Sequence, residues 1–319
     1  MAHVLQPVRR RRRPGRRRLA VLVLVATVSV SAAAVARSHD GSRTTRRPPA
    51  TPQASGAIRT VTPEKLVSGS PVPHVFSPQL GGQTAIVVDA STGKAIWALR
   101  PHLRLPIASL TKIMTATLVL ERLPLDTPVH IGWTVPRVPP VREGLRNGET
   151  VSARKLMYGL LLYSGNDDAL ALAIATAGGR KAFIGLMNRE AGSLGLGDTH
   201  FNSTSGVIDT DNYSTASDLA ALTRYALRDA RFRAFVRTRV KRVSWAPPTF
   251  AKIYVNRNRF LELYPGANGV KTGWTTLSGW CVVESATRHG KTLIAVVLDS
   301  ARPYNDAARL LSFGFATQH

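Results

Sequence analysis

Hydrophobic positions change period along the chain, and the changes mark its elements. Thr84–Asp89 and Ala95–Leu99 are short β-prone runs joined by Ser91-Thr92-Gly93-Lys94, whose composition signals a hairpin turn. From 109 to 123 there is no Gly or Pro, and Ile113, Met114, Thr117, Leu118 and Leu120 fall toward a core, predicting a helix that Pro124 stops. Further helical patterns occupy about 151–163, 167–177, 181–194 and 215–228. The second of these starts on Asp167 and Asp168 and ends at Gly178-Gly179; the last opens on Thr215-Ala216-Ser217-Asp218, a capping box. Strand patterns return at Val270–Trp274, Trp280–Ser285 and Leu293–Asp299, with turns at 276–279 and 288–291, before a final helical run over about 305–313. Strands at both ends with helices between them imply an α/β (α+β) fold: a sheet whose first and last parts meet, with a helical lobe inserted.

The region before residue 79 reads differently. Leu19–Ala36 is an uncharged stretch of 18 residues rich in Val, Leu and Ala, ending Ala34-Val35-Ala36 and preceded by the arginine block Arg9–Arg13 and Arg16–Arg18. A basic segment, an apolar segment and small residues at a cleavage position are the layout of a signal peptide, and the apolar length also suits an uncleaved signal anchor. Residues 1–36 are therefore expected to direct export, with the arginines held on the cytoplasmic side. Residues 37–78, with seven prolines and no sustained apolar period, read as a Pro-rich linker too poor in apolar surface to fold, leaving 79–319 as the folded domain.

This division changes the meaning of the charge. The chain of 319 residues carries a formal net charge of +24, which by itself would suggest nucleic acid. Residues 1–60 hold half of it, with thirteen Lys/Arg against Asp40 alone, so the densest positive charge is topogenic and no nucleic-acid partner is expected. The single cysteine, Cys281, excludes an intramolecular disulfide framework and, without an HExxH-type spacing, leaves no basis for a metal site; no cofactor is expected. Cys281 in a strand reads as a small buried hydrophobe. Trp245, Trp274 and Trp280 read as core or rim residues, with a sugar-binding cleft as the alternative.

There is no G-x-S-x-G elbow, P-loop or GxGxxG. An ordered triple stands out instead: Ser109-x-x-Lys112, Ser164-x-Asn166 and Lys271-Thr272-Gly273. A serine hydroxyl needs a base, and a lysine can serve only where burial or a neighbouring cation lowers its pKa. Three residues apart on a helix, Ser109 and Lys112 share a face. Ser164 and Asn166 flank a glycine at a helix break, and on a strand Lys271 and Gly273 point one way and Thr272 the other. Ser-x-x-Lys alone carries little weight, since about one occurs by chance in such a length. It recurs here as Ser91–Lys94 in the hairpin turn and as Ser152–Lys155 too close to Ser164 to form a separate element. The ordered set is far rarer and characterises penicillin-binding proteins and class A β-lactamases.

Pro106-Ile-Ala-Ser109-Leu-Thr-Lys112-Ile-Met-Thr-Ala116, Leu162-Tyr-Ser164-Gly-Asn166-Asp167, Gly269-Val-Lys271-Thr-Gly273-Trp-Thr275 and Leu310-Leu-Ser-Phe-Gly-Phe315 resemble the serine-type D-alanyl-D-alanine carboxypeptidases, the low-molecular-mass penicillin-binding proteins. Asp198–Asn202, Ser205-Gly206 and Ser214–Ala216 extend the resemblance. It implies the penicillin-binding-protein/β-lactamase-like transpeptidase fold, with an antiparallel sheet flanked by helices. It also implies peptidoglycan stem peptides as substrate and β-lactams as inhibitors. Ser109 would be the nucleophile, Lys112 its base and Ser164 a proton relay. Asn166 would bind the substrate peptide and orient Lys112, Lys271 and Thr272 would hold the terminal carboxylate, and the N–H groups of Ser109 and Trp274 would form the oxyanion hole. Gly273 would let substrate approach the strand, and Arg302 would assist with the carboxylate. Departures from the family pattern are Trp274, Asn268 and Asp168, the last expected to place a second carboxylate near the cleft. Membrane attachment is expected through Leu19–Ala36. Two rivals share the motifs: a class A-like β-lactamase, for which Glu190 and Glu262 are poorly placed candidates, and a non-catalytic peptidoglycan-binding protein.

Overall fold

The computed structural model describes residues 78–207, 211–244 and 251–317. The chain divides into two units, residues 1–68 and 69–319, and everything described belongs to the second. The expected signal segment and nearly all of the linker, as well as Trp245, lie outside the described residues.

In chain order the strands are β1 (Thr84–Asp89), β2 (Ala95–Leu99), β3 (Leu105–Pro106), β4 (Pro128–His130), β5 (Thr150–Ser152), β6 (Tyr213–Ser214), β7 (Val240–Val243), β8 (Lys252–Val255), β9 (Ala267–Thr275), β10 (Gly279–Arg288) and β11 (Lys291–Leu298). The helices are α1 (Lys112–Arg122), α2 (Ala153–Tyr158), α3 (Asn166–Ala177), α4 (Arg180–Ser193), α5 (Ala216–Ala226), α6 (Ala230–Val236), α7 (Phe260–Leu263) and α8 (Pro303–Thr317). Five strands form one sheet in the order β2-β1-β11-β10-β9, and the pairings β1–β2, β1–β11, β10–β11 and β9–β10 are all antiparallel. The first and last parts of the chain therefore do meet, Thr84 facing Leu298 and Asp89 facing Leu293. Helix α8 covers one face, where Val87, Ala295, Val297, Leu310 and Leu311 share a core; the other face shares a larger core with α1, α5 and the helical lobe. Cover on both faces explains why Thr84–Val88 is a continuous buried run with no polar alternation.

Helix α1 departs from the expected one-sided pattern, since every residue from Lys112 to Leu120 is buried. It is packed against α3, α4, α5 and α6. Its polar side chains are tolerated because each is satisfied: Thr115 Oγ1 donates to Thr204 O at 2.7 Å and Thr117 Oγ1 to Ile113 O at 2.9 Å. The run at 151–163 also differs from a single helix. It starts as β5, becomes α2 and widens into a π-helical turn over Gly159–Tyr163. The β7–β8 hairpin, α6 and α7 had no clear periodic signal because they are short and partly exposed. Ser152 ends β5 and Lys155 sits in α2, while Ser91 lies in the hairpin turn, so neither extra Ser-x-x-Lys forms a site.

Half of the expected capping box forms: Thr215 Oγ1 accepts the Asp218 N–H at 3.1 Å, whereas the Asp218 carboxylate accepts from Asp198 N–H and Thr199 Oγ1 instead of reaching back to Thr215. Thr215→Ala should lower stability by about 1 kcal/mol and Thr215→Ser should restore most of it, measured by urea unfolding. An unchanged midpoint in Thr215→Ala would show that α5 is held by packing alone.

Candidate active site

Three elements converge beside the edge strand β9. Ala108–Thr111 forms a 3-10 turn that runs directly into α1, so Ser109 and Lys112 are one turn apart on the way into the most buried helix of the lobe. Ala108 takes φ 45°, a left-handed conformation unusual for alanine, immediately before the serine. The π turn ends on Ser164, also left-handed at φ 69°, and α3 then begins at Asn166. Strand β9 closes the third side: a Cβ at Gly273 would lie 2.9 Å from Ser109 N and 3.2 Å from Ile107 O. Only glycine lets the strand come this close to the serine's N–H. Gly206 acts likewise from the opposite side, with φ +75° and no room for a side chain against Ala108 O.

Lys112 is the centre of this arrangement and is fully buried. Its Nζ lies 2.9 Å from Ser109 Oγ, 2.8 Å from Asn166 Oδ1 and 3.1 Å from Ser205 O. The last two are acceptors only, and the orientation of Asn166 is fixed because its Nδ2 donates to Pro139 O at 3.1 Å. A neutral amine has two N–H bonds and one lone pair. The two carbonyl oxygens take the hydrogens, which leaves the lone pair facing the serine hydroxyl. Burial drives the lysine well below its ordinary pKa, and the Lys271 cation adds to the effect. Lys271 itself is buried, donates to Thr272 O at 2.8 Å and is lowered by burial to about 7, with Arg257 contributing. Glu284, buried across the sheet and bonded by Asn258 Nδ2 at 2.7 Å, is raised well above the carboxylate range by burial.

Sequence reasoning did not assign roles to Ser205 O, the third partner of Lys112, or to Arg257, whose guanidinium lies 4.1 Å from the Tyr163 ring. A backbone carbonyl carries no side-chain signature; Ser205-Gly206 was visible only as part of the resemblance. A cavity of about 410 Å³ lies elsewhere on the molecule, but the one adjoining these residues holds about 620 Å³ and is lined by Asn166, Ser205, Pro139, Leu170 and Arg137. Trp274 is exposed and its ring stands 5.9 Å from that of Trp280 on the next strand. Arg302 is exposed just before α8; its backbone N–H bonds Ser300 Oγ at 3.0 Å, and no hydrogen bond or ion pair joins its side chain to the other site residues. Cys281 is buried, with its thiol pushed up to about 12 by burial.

Asp168 requires a correction: it does not line the cleft. It is fully buried beneath the Ser164-Gly165-Asn166 turn, packed against the main chain of Gly159 and Gly165, with neither carboxylate oxygen hydrogen-bonded among the described residues. The lining role falls to Asn166, while Asp167 accepts from the N–H groups of Glu143, Gly144 and Leu145 at 3.0, 2.9 and 3.1 Å and so ties the 139–145 loop to α3. Burial, then Glu143 and Asp167, raise Asp168 well above its ordinary pKa, and burial pushes Glu143 up to about 7.

Two measurements follow from these groups. The unfolded chain releases the Asp168 proton near its ordinary pKa whereas the folded chain keeps it, so ionisation favours unfolding increasingly as pH rises above about 4. Asp168→Asn should therefore raise Tm by an amount that grows from pH 5 to pH 8; a gain independent of pH would contradict a protonated Asp168. Lys271 is cationic below about pH 7 and neutral above it. Binding of a carboxylate ligand should weaken as pH rises through that value, and Lys271→Arg should move the loss to higher pH. An unshifted pH profile in that variant would assign the limb to another group.

A family model described as D-alanyl-D-alanine carboxypeptidase matches residues 72–302. The chain is 35% identical to a D-alanyl-D-alanine carboxypeptidase of Streptomyces sp. (strain K15), over 85% of this chain and 99% of that protein. It is 31% identical to a D-alanyl-D-alanine endopeptidase of Escherichia coli (strain K12), over 78% of this chain and 82% of that one. Among solved structures, the Streptomyces K15 DD-transpeptidase superposes with a TM-score of 0.72 at 35% identity, over 76% of this chain and all of that one. A D-alanyl-D-alanine carboxypeptidase from Mycobacterium tuberculosis H37Rv gives 0.73 at 29% identity, over 78% of this chain and 96% of that one. With the lysine–serine pair, the Ser-x-Asn turn and the Lys-Thr-Gly strand drawn together around one cleft, this chain belongs to the serine-type D-alanyl-D-alanine carboxypeptidases, the low-molecular-mass penicillin-binding proteins.

Proposed function

We propose that the protein removes the terminal D-alanine from peptidoglycan stem pentapeptides through an acyl-enzyme on Ser109. The observation that carries this reading is the fully buried Lys112 Nζ, 2.9 Å from Ser109 Oγ, with Asn166 Oδ1 and Ser205 O as its other partners and burial lowering its pKa. Lys112 takes the hydroxyl proton as Oγ bonds to the carbonyl carbon between the two D-alanines. The resulting oxyanion is stabilised by the N–H groups of Ser109 and Trp274, a role supported by the close approach of β9 at Gly273 to the Ser109 N–H. The C–N bond then breaks, and Ser164 passes a proton to the departing amine. Lys271 and Thr272 hold its carboxylate, and Asn166 holds the peptide group while fixing Lys112. Water then loses a proton to Lys112 as its oxygen bonds to the acyl carbon, the ester bond to Ser109 Oγ breaks, and the proton passes from Lys112 to Oγ, releasing the shortened peptide. The cavity of about 620 Å³ beside Asn166 and Ser205 offers room for the rest of the stem peptide.

β-Lactams enter the same cleft and acylate Ser109. The β-lactamase rival has no support in the site: Glu190 lies on α4, 4.0 Å from Arg122, and Glu262 is exposed on α7. Export is part of the proposal, supported by the arginine block and the apolar run Leu19–Ala36, which would also provide any membrane attachment.

Wild-type protein should release D-alanine from a pentapeptide ending D-Ala-D-Ala and gain the mass of benzylpenicillin on Ser109; Ser109→Ala should do neither. Undiminished release by the variant, or an adduct on another residue, contradicts the mechanism. Mass spectrometry of protein recovered from cells should find residues 1–36 removed or the intact chain in the membrane fraction. An intact chain in the cytosol contradicts export.

A further inference from the structure

The cavity of about 410 Å³ lies away from the serine, where the ends of α5 and α6 meet the β1–β2 turn and the β10–β11 hairpin. Its walls carry Arg224, Arg228, Arg233, Arg237 and Lys291 against one acid, Asp89. That carboxylate is committed to its own turn, accepting the N–H groups of Ser91 and Thr92 at 2.8 and 3.0 Å.

Three surface arginines sit directly beside carboxylates: Arg104–Asp198 at 2.6 Å, Arg154–Asp126 at 3.1 Å and Arg231–Asp229 at 2.6 Å. Among the described residues, none of the four cavity guanidiniums has a carboxylate within 4.0 Å. Two of them are held in place by main-chain carbonyls. Arg224 donates from Nε to Ala90 O at 3.0 Å and from Nη2 to Ser91 O at 2.7 Å. Arg233 donates from Nη1 to Leu227 O at 2.6 Å and Arg228 O at 2.9 Å, closing the end of α5. Each guanidinium has five N–H donors, so both keep donors to spare, and their positions are set before any ligand arrives. Gathering four guanidiniums around one concave space whose one carboxylate, Asp89, is committed to its own turn is unfavourable, and a multiply charged anion relieves it. The planar fork of arginine matches the oxygens of a phosphate, and the volume exceeds what an inorganic ion needs. Leu227 and Ala90 supply apolar wall for a carbon skeleton.

We infer that this cavity binds an organic phosphate, with the phosphoryl oxygens among the four guanidiniums and the ester carbons against Leu227 and Ala90. Asn268, which also lines the cavity, stands three residues before Lys271 on β9, roughly 10 Å along the strand. The phosphate would therefore dock the enzyme beside its substrate strand without touching Ser109.

The test is an NMR titration of the full chain with glycerol 3-phosphate, with glycerol and sodium chloride at matched ionic strength as controls. The amide resonances of Ser91, Leu227 and Gly290 should shift saturably with glycerol 3-phosphate and with neither control. Arg228→Ala/Arg237→Ala should weaken binding at least tenfold, while Lys181→Ala/Arg189→Ala, which removes two exposed cations of α4, should leave it unchanged; both should release D-alanine at the wild-type rate. In a second arm, vesicles containing phosphatidylglycerol show whether a lipid headgroup can supply the phosphate. Vesicle binding lost in Arg228→Ala/Arg237→Ala would support the site with a lipid as source. Overturning outcomes are equal shifts with sodium chloride, equal weakening in the α4 variant, binding to vesicles without binding to glycerol 3-phosphate, or no saturable shift in the wild type. The wild-type titration decides the matter even if the arginine variant does not fold.

Discussion

The burial of one amine between a hydroxyl and two carbonyl oxygens is the constraint around which the rest of the molecule is arranged. Removing a lysine from water is expensive for its charged form, so full burial of Lys112 selects the neutral amine, and Asn166 Oδ1 and Ser205 O dictate which way its lone pair points. Each partner is supplied by a different part of the chain. The 3-10 turn brings Ser109, the α3 start brings Asn166, and the loop after α4 brings Ser205, with Gly206 making room for the close approach. Lys112 thus ties the 3-10 turn, the start of α3 and the loop after α4 together, and the base cannot be altered without disturbing all three contacts.

A second tier of buried charge surrounds the first. Lys271 and Glu284 lie in the same dry sheet, where burial pushes the lysine down and the acid up, opposing the full ion pair. On the other side, Asp167 spends its carboxylate on three loop N–H groups, whereas Asp168 beside it finds none. Two adjacent residues of one type thus have opposite electrostatic fates. The first holds the loop that fixes Asn166; the second, its pKa raised by burial, sits under the turn that leads into Asn166.

Much of this was legible in the amino-acid order. The hairpin β1–β2, the stop at Pro124, the Thr215 cap and the meeting of the terminal strands each rest on local chemistry: turn residues, a ring that blocks a helix, a hydroxyl three residues before an N–H. The three motifs named Ser109, Lys112, Ser164, Asn166 and Lys271 because their spacings are local, and the structure joins Lys112 to Ser109 and Asn166 and sets the Lys271-Thr272-Gly273 strand against Ser109. Two kinds of information were missing. Burial depends on what packs from outside the segment, so α1 looked one-sided and Asp168 looked cleft-facing. Backbone geometry, such as the π turn, the left-handed Ala108 and the Ser205 carbonyl, has no residue-type signature at all.

The central claim is the protonation state of Lys112, and it can be read directly. In protein labelled with ¹³C at lysine Cε, the Lys112 resonance, assigned by its absence in Lys112→Arg, should have the chemical shift of a neutral amine at pH 7 and titrate well below the ordinary lysine range. A Lys112 signal that remains that of an ammonium up to pH 9 would contradict the account.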